Sequence, residues 1–211
     1  MIAAILPAAV ATAETRDDAR PGRLFPEEEA TVAGAVEKRR HEFAAGRGCA
    51  HRALERLGAP AGPIPAGDRG EPVWPTGVVG SITHCHGYRG CAVARAADLA
   101  AIGIDAEPHE PLPEGLAERV AGVEERSRLA ELARAEPAIA WDRLLFSAKE
   151  SVYKAWYPLT ERWLGFDDAV LTIDPVGRTF SARLRVPGPV DAFEGRWLLA
   201  EGLILTAVTV T

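Results

Sequence analysis

Two carboxylates stand two residues apart in the run Ile102-Gly103-Ile104-Asp105-Ala106-Glu107. In a strand, Asp105 and Glu107 share one face while Ile102 and Ile104 occupy the other. A solvated strand end fits the pair taken alone. The apolar opposite face adds a buried support, and two oxygens on such a face suit a hard cation like Mg²⁺, which keeps waters and shares a phosphate ligand. A second charged set lies on the segment from Trp141 to Trp156. There Trp141, Leu145, Ala148, Val152 and Ala155 recur at spacings of four and three and form an apolar helical stripe. Ser147, Glu150 and Lys154 form another stripe. Glu150 and Lys154 alone equally fit an ordinary surface pair, which contributes about 0.3–0.5 kcal/mol.

Basic residues gather on the segment before residue 57: Lys38, Arg39, Arg40, Arg47 and Arg52. Arg40 and Arg47 are seven apart and share a helix face, with Arg39 about 100° away. Beside Glu37 and Glu42 they fit a solvated face. They fit an anion site if other elements converge on them, and Arg69 and His84 are the candidates. The net charge of −6 argues against a nucleic-acid binder that relies on overall positive charge, so an anionic ligand needs a local basic pocket. Of 24 basic residues only Lys38, Lys149 and Lys154 are lysines, and two of these fall in the Glu150 helix.

The elements that must position these groups follow from pattern. A helix is predicted over 28–57, with Gly46 and Gly48 as points where it bends or divides and Gly58 as its C-cap. Residues 14–27 read as a surface loop, and 58–77, dense in Gly and Pro, as a long functional loop. Short strands are predicted at 78–83, 91–95 and 101–107, exposed helix within 114–136, and a better helix over 139–157. Strands return at 169–174, 179–186, 196–200 and 203–210, the last two joined by a tight Glu201-Gly202 turn. The expected fold class is α+β: a pseudo-twofold pair of similar α/β halves, 1–108 and 109–211, with the active site in the cleft between them.

The 211-residue chain is 47% apolar and 26% charged, ordinary for a globular protein. Cys49, Cys85 and Cys91 are odd in number and irregular in spacing, which fits a reduced, cytoplasmic chain better than a disulfide framework. His84-Cys85-His86 lacks the ligand spacing of a zinc site. The N-terminal run Met1–Thr15 resembles a signal segment, but no basic residue precedes its apolar stretch and Pro7 interrupts it, so a buried strand is expected. No apolar run reaches 18 residues, so no membrane span is expected.

Taken in order, Lys38–Phe43 (KRRHEF), Gly46–Leu54 (GRGCAHRAL), Gly67–Pro75 (GDRGEPVWP), Gly80–Cys85 (GSITHC), Gly103–His109 (GIDAEPH), Phe146–Trp156 (FSAKESVYKAW) and Trp163–Ala169 (WLGFDDA) resemble the surfactin/enterobactin-type phosphopantetheinyl transferases, particularly the enterobactin-synthase subgroup and its actinobacterial relatives. The resemblance implies transfer of 4′-phosphopantetheine from coenzyme A to a serine of an acyl or peptidyl carrier protein, with Mg²⁺ (or Mn²⁺) as cofactor. It assigns the metal to Asp105, Glu107, Glu150 and the Ala106 carbonyl. It places Lys149 and Lys154 near the diphosphate, Arg39 and Arg47 at the coenzyme's phosphates, and Thr83 and His84 at a strand end that contacts phosphate. Arg69, Gly70, Glu71 and Pro72 match the loop around the adenine end. Many relatives carry Gly-Lys-Pro where this chain has Gly70-Glu71-Pro72, which makes Arg69 the candidate for the missing charge.

On this reading Glu150 and Lys154 are the catalytic pair and Glu150 takes the serine proton. Arg119, Arg126, Arg128 and Arg134 are candidates for a carrier-docking face, or simply a solvated helix. No nucleic acid or membrane is expected as a partner, and a cytoplasmic monomer is. The alternatives are a non-catalytic coenzyme A or nucleotide-binding module and a Mg²⁺-dependent phosphohydrolase that uses water.

Overall fold

The computed structural model describes residues 1–16 and 22–211; the part of the expected loop at 17–21 lies outside the described residues. The N-terminal run opens as a short 3-10 turn, Ile2–Ile5, and becomes strand β1 only at Ala11–Thr15, beyond Pro7. Ile2, Ile5 and Ala13 are buried, so the run is a core element. Helices α1 (Pro26–Val32) and α2 (Glu37–Leu57) replace the single predicted helix. The break falls around Gly34, whereas Gly46 and Gly48 sit inside unbroken α2. Their missing side chains serve packing: a Cβ on Gly48 would come 3.0 Å from Gly22 Cα, and one on Gly46 would touch Ile82. Gly58 caps α2 in the left-handed region, as its position predicts.

After the loop at 58–77 come β2 (Val78–Cys85), β3 (Tyr88–Arg95) and β4 (Ala101–Pro108). β2 and β3 are longer than predicted because the His86-Gly87 turn lets their ladder close fully, from Val78–Arg95 to Cys85–Tyr88. Helices α3 (Ala117–Val120), α4 (Val123–Ala135) and α5 (Trp141–Thr160) lead to β5 (Ala169–Asp174), β6 (Thr179–Leu184), β7 (Ala192–Ala200) and β8 (Leu203–Val210). β6 stops short of its predicted end, just before Pro187 and Pro189. β7 begins earlier than predicted, paired with β6 from Arg183–Ala192 onward. Glu201 and Gly202 both take positive φ, the signature of the predicted two-residue hairpin.

The strands form an antiparallel sheet ordered β1-β3-β2 and another ordered β4-β8-β7-β6-β5. Each carries one long helix, α2 across β1 and β3 and α5 across β4 and β8. This is the α+β arrangement of paired halves. By main-chain bonding β4 belongs to the five-stranded sheet, although it precedes residue 109. Side chains join the sheets: Ile104 N–H donates to Ser81 Oγ (3.1 Å) and Ala106 N–H to Thr83 Oγ1 (3.0 Å). The constant offset aligns β2 parallel to β4, with hydroxyls in place of a backbone ladder.

α5 lies directly on β4 because both surfaces are small there. Gly103 faces Ala155 and Ser151, and a Cβ at Gly103 would overlap the Ser151 carbonyl and press on Ala155 N. Trp141, Leu145, Ala148, Val152 and Ala155, the predicted apolar stripe, are all buried. Gly103→Ala must therefore push the helix off the strand. The expected loss is about 1–3 kcal/mol in urea unfolding, accompanied by weaker protection of the α5 amides in hydrogen exchange.

Candidate functional site

The contacts between α5 and β4 run in opposite chain directions. Near the N-terminus of α5, Arg143 Nη1 donates to Glu107 Oε2 at 2.8 Å. Further along, Lys154 Nζ donates to Asp105 Oδ1 at 2.7 Å and to the Ile104 carbonyl at 3.2 Å. Glu150 sits one turn before Lys154 on the same stripe. Thr83 Oγ1 also donates to Asp105 Oδ1 (3.2 Å), so β2, β4 and α5 meet at one carboxylate.

This meeting point is electrostatically incomplete. Asp105 is buried, and its Oδ2 has no hydrogen-bond partner among the described residues. Burial pushes Glu150 above the ordinary glutamate range, and the nearby Asp105 charge pushes it further, with Lys154 opposing. Burial and then Asp105 raise Glu107 as well, with Arg143 opposing. A bare buried carboxylate oxygen beside two crowded acids is an arrangement that a cation relieves. Among the described residues, no cluster of three or more His, Cys, Asp or Glu side chains is gathered closely enough to form a ready-made cage. Instead Lys154 and Arg143 lie on two of the acids. Asp105, Glu107 and Glu150 suit a divalent ion by donor chemistry. The Ala106 carbonyl is turned to the same strand edge as its N–H, which bonds Thr83.

Two adjoining cavities share wall residues, and Lys154, the partner of Asp105, lines one of them. One, of about 420 Å³, is lined by Arg69, Gly70, Glu71, Pro72, Trp74 and Lys154 among others. The second, of about 160 Å³, shares Gly70, Pro72 and Ile82 with it and adds Arg39, Arg47 and His84. The structure thus brings the predicted basic residues and the predicted loop to one place. Arg47 is buried, stacks its guanidinium 4.7 Å from the Phe43 ring centroid, and keeps an Nε–H with no acceptor among the described residues. Burial lowers its pKa. His84 retains open surface, but crowding by the cavity wall, then Lys154, Arg39 and Arg89, lowers its pKa. Repelled cations and an unanswered guanidinium N–H form a pocket for an anion. Glu71 folds back onto its own loop, accepting from Arg69 N–H at 2.9 Å.

Two of the expected ligand residues are engaged by internal contacts. Thr83 is buried; its hydroxyl donates to Asp105 and accepts from Ala106, so it positions the acidic strand. Lys149 is the second. It contributes to the wall of a cavity of about 110 Å³ beside Glu150, but its three N–H donors go to Glu125 Oε2 (2.9 Å) and the Phe166 (2.7 Å) and Ala169 (3.1 Å) carbonyls. Burial lowers its pKa against the pull of Glu125. Arg128 bonds Glu124 and Thr172, and Arg126 the Ala121 carbonyl, so part of the proposed docking set is engaged locally.

Sequence reasoning missed Arg143, Arg89, Trp74 and Tyr153. Arg143 was legible as the next member of the Ser147–Glu150–Lys154 stripe. Trp74 lay inside the selected loop, where its indole N–H bonds the Gly80 carbonyl at 3.0 Å. Arg89, buried opposite His84, carried no spacing signal. Tyr153 packs against Trp163 in a tilted pair, with ring centroids 5.0 Å apart, across a distance in sequence that no helical period reveals.

Comparison with known proteins yields two family matches. Residues 27–94 match the 4′-phosphopantetheinyl transferase N-terminal domain, and residues 101–207 match the 4′-phosphopantetheinyl transferase superfamily. The chain is 58% identical to 4′-phosphopantetheinyl transferase Svp of Streptomyces mobaraensis, covering 100% of this chain and 89% of Svp. It is 46% identical to 4′-phosphopantetheinyl transferase PptT of Mycobacterium tuberculosis, over 99% of this chain and 97% of PptT. Enterobactin synthase component D of Salmonella typhi is 36% identical over 65% of this chain and 56% of its own length.

The crowded acids give a pH-dependent outcome. Glu150 has a folded-state pKa raised above its ordinary value of 4.5. Its ionised form therefore weakens the fold in cation-free buffer at neutral pH, and the penalty fades as the pH falls toward that value. Glu150→Gln is expected to stabilise the cation-free protein at pH 7, with the gain shrinking on acidification. Urea unfolding across pH checks this, and a gain that grows with acid contradicts it.

Proposed function

The chain belongs to the 4′-phosphopantetheinyl transferase superfamily, and from that premise we propose how its residues move phosphopantetheine from coenzyme A to the serine of a carrier protein. The single observation that carries the proposal is the bare Oδ2 of Asp105, buried where Lys154, Glu150 and the basic cavities meet. Asp105, Glu107 and Glu150 would hold Mg²⁺ or Mn²⁺, with the Ala106 carbonyl near the ion or its waters. Bound there, such an ion neutralises charge on the coenzyme's diphosphate.

The chain's own groups do the rest. Arg39, Arg47, Arg69 and His84 bind the phosphates, arginine being suited to forked contacts. Gly70, Glu71 and Pro72 form the wall at the adenine end. Lys154 stabilises negative charge as the phosphoanhydride bond breaks. The carrier serine oxygen forms a bond to the phosphorus next to pantetheine, 3′,5′-ADP departs with the electron pair, and Glu150 accepts the serine proton directly or through a water. Residues 1–108 supply the coenzyme-binding segments and the first two acids; residues 109–211 supply the helix that bears Glu150 and Lys154. Both walls of the cleft come from one chain, which supports a monomer. Among the described residues no helix is long and apolar enough to cross a membrane. The family's coenzyme and carrier chemistry supports a cytoplasmic location.

The test is incubation with coenzyme A, Mg²⁺ and an apo-carrier, read by intact mass. A carrier mass gain supports transfer. Free phosphopantetheine without transfer supports the phosphohydrolase, and no product the binding module. Glu150→Gln is expected to lower transfer by at least about 100-fold, and full activity in that variant removes Glu150 from the mechanism. Arg47→Ala is expected to raise KM for coenzyme A about 10- to 100-fold, the loss of a charge-assisted hydrogen bond, with kcat much less affected. An unchanged KM contradicts its phosphate role.

A further inference from the structure

Arg143 is held more firmly than a surface cation needs to be. Its side chain is 12% exposed. Nε donates to the Glu110 carbonyl at 3.1 Å, Nη2 to the Pro111 carbonyl at 2.9 Å, and Nη1 to Glu107 Oε2 at 2.8 Å. The preceding residue fastens the same linker, since Leu112 N–H donates to Asp142 Oδ2 at 2.9 Å. Two backbone carbonyls thus fix the plane of the guanidinium independently of Glu107. A planar fork fixed on one side presents its remaining N–H in a set direction.

We propose that Arg143 is a positioning residue that orients Glu107 for the cation: it engages Oε2 and leaves Oε1 to turn toward Asp105 and Glu150. The inference rests on the cation site proposed above. Its physical basis is that carboxylates which bind metals are themselves held by outer hydrogen bonds, and losing such a partner typically weakens metal affinity about 10- to 100-fold. Glu107 needs such a partner, because it is the next-to-last residue of β4, ahead of the linker at 109–111, and stands two residues from a like charge. Arg143, Glu150 and Lys154 share one face of α5, spaced by seven and four. The same helix therefore supplies the orienting cation, the third acid and the phosphate-facing lysine.

A role confined to tying the linker to α5 makes a different prediction, and a double-mutant cycle separates the two. Mn²⁺ affinity is measured by electron paramagnetic resonance in the coenzyme A complex of the full chain, with coenzyme A affinity and thermal unfolding measured alongside. Arg143→Ala is expected to weaken Mn²⁺ binding about 10- to 100-fold while leaving coenzyme A affinity in place. Arg143→Lys, which keeps the charge without the fork, is expected to fall between and keeps the test open if the alanine variant folds poorly. In a Glu107→Ala background, Arg143→Ala is expected to add no further loss. Unchanged Mn²⁺ affinity in Arg143→Ala, or an equal loss in both backgrounds, overturns the positioning role alone. Failure of the unaltered protein to bind Mn²⁺ overturns the cation site and this inference with it.

Discussion

The Lys154–Asp105 bond across the α5–β4 contact is the constraint on which the site depends. It forms only because Gly103 lets the helix backbone approach the strand. A side chain there would separate two elements whose charged residues must meet. The approach also desolvates those charges, so the packing that brings Glu150 to Asp105 is what holds its carboxyl above the ordinary range. Core packing and site electrostatics are therefore one feature seen from two sides. The apolar stripe of α5 faces the five-stranded sheet, and its neighbouring stripe places Arg143, Glu150 and Lys154 along β4.

The same logic reconciles an acidic chain with an anionic coenzyme. Net charge acts at long range and is screened within about 10 Å at ordinary salt. Binding depends on local groups, and here Arg39, Arg47, Arg69, His84 and Lys154 line two joined cavities. Each alone resembles a surface residue. Burial and then Lys154, Arg39 and Arg89 lower His84, and the buried Arg47 keeps an Nε–H with no acceptor among the described residues. The acids opposite carry the complementary imbalance. A simple cation or a simple anion answers only one of these imbalances, whereas the proposed ligand, with a phosphate end and a cation-neutralised diphosphate, would answer both.

How much of this was legible in the sequence follows from the range of each signal. Alternation along Ile102–Glu107 and the three-four spacing of α5 are local, and both faces came out as predicted. Motif order across Lys38–Ala169 carried the family resemblance and collected the cavity residues. What local pattern does not reveal depends on contacts distant in sequence. Gly46 and Gly48 read as helix breakers because their packing against Gly22 and Ile82 leaves no trace in a local window. Lys149 read as site charge because its family position is cationic, while its partners Glu125, Phe166 and Ala169 lie on other elements. Thr83 read as a phosphate contact because nothing in sequence reveals that its hydroxyl replaces a strand ladder.

That replacement has a consequence for how the halves work together. A backbone ladder between β2 and β4 would fix the sheets through groups indifferent to side-chain identity. Ser81 and Thr83 instead make the junction with hydroxyls, and Thr83 uses the same oxygen to hold Asp105. Thr83 thus joins the register of the two halves to the orientation of the central acid. Removing its hydroxyl leaves the buried Ala106 N–H without its acceptor, an effect of about 1–3 kcal/mol, and leaves Lys154 as the remaining donor to Asp105 Oδ1. The β2 strand that carries His84 into the basic cavity is thus coupled, through Thr83, to the acid that Lys154 reaches from the other side. The basic cavity and the acidic strand keep their relative placement in part because the Thr83 hydroxyl bonds both the β4 backbone and Asp105.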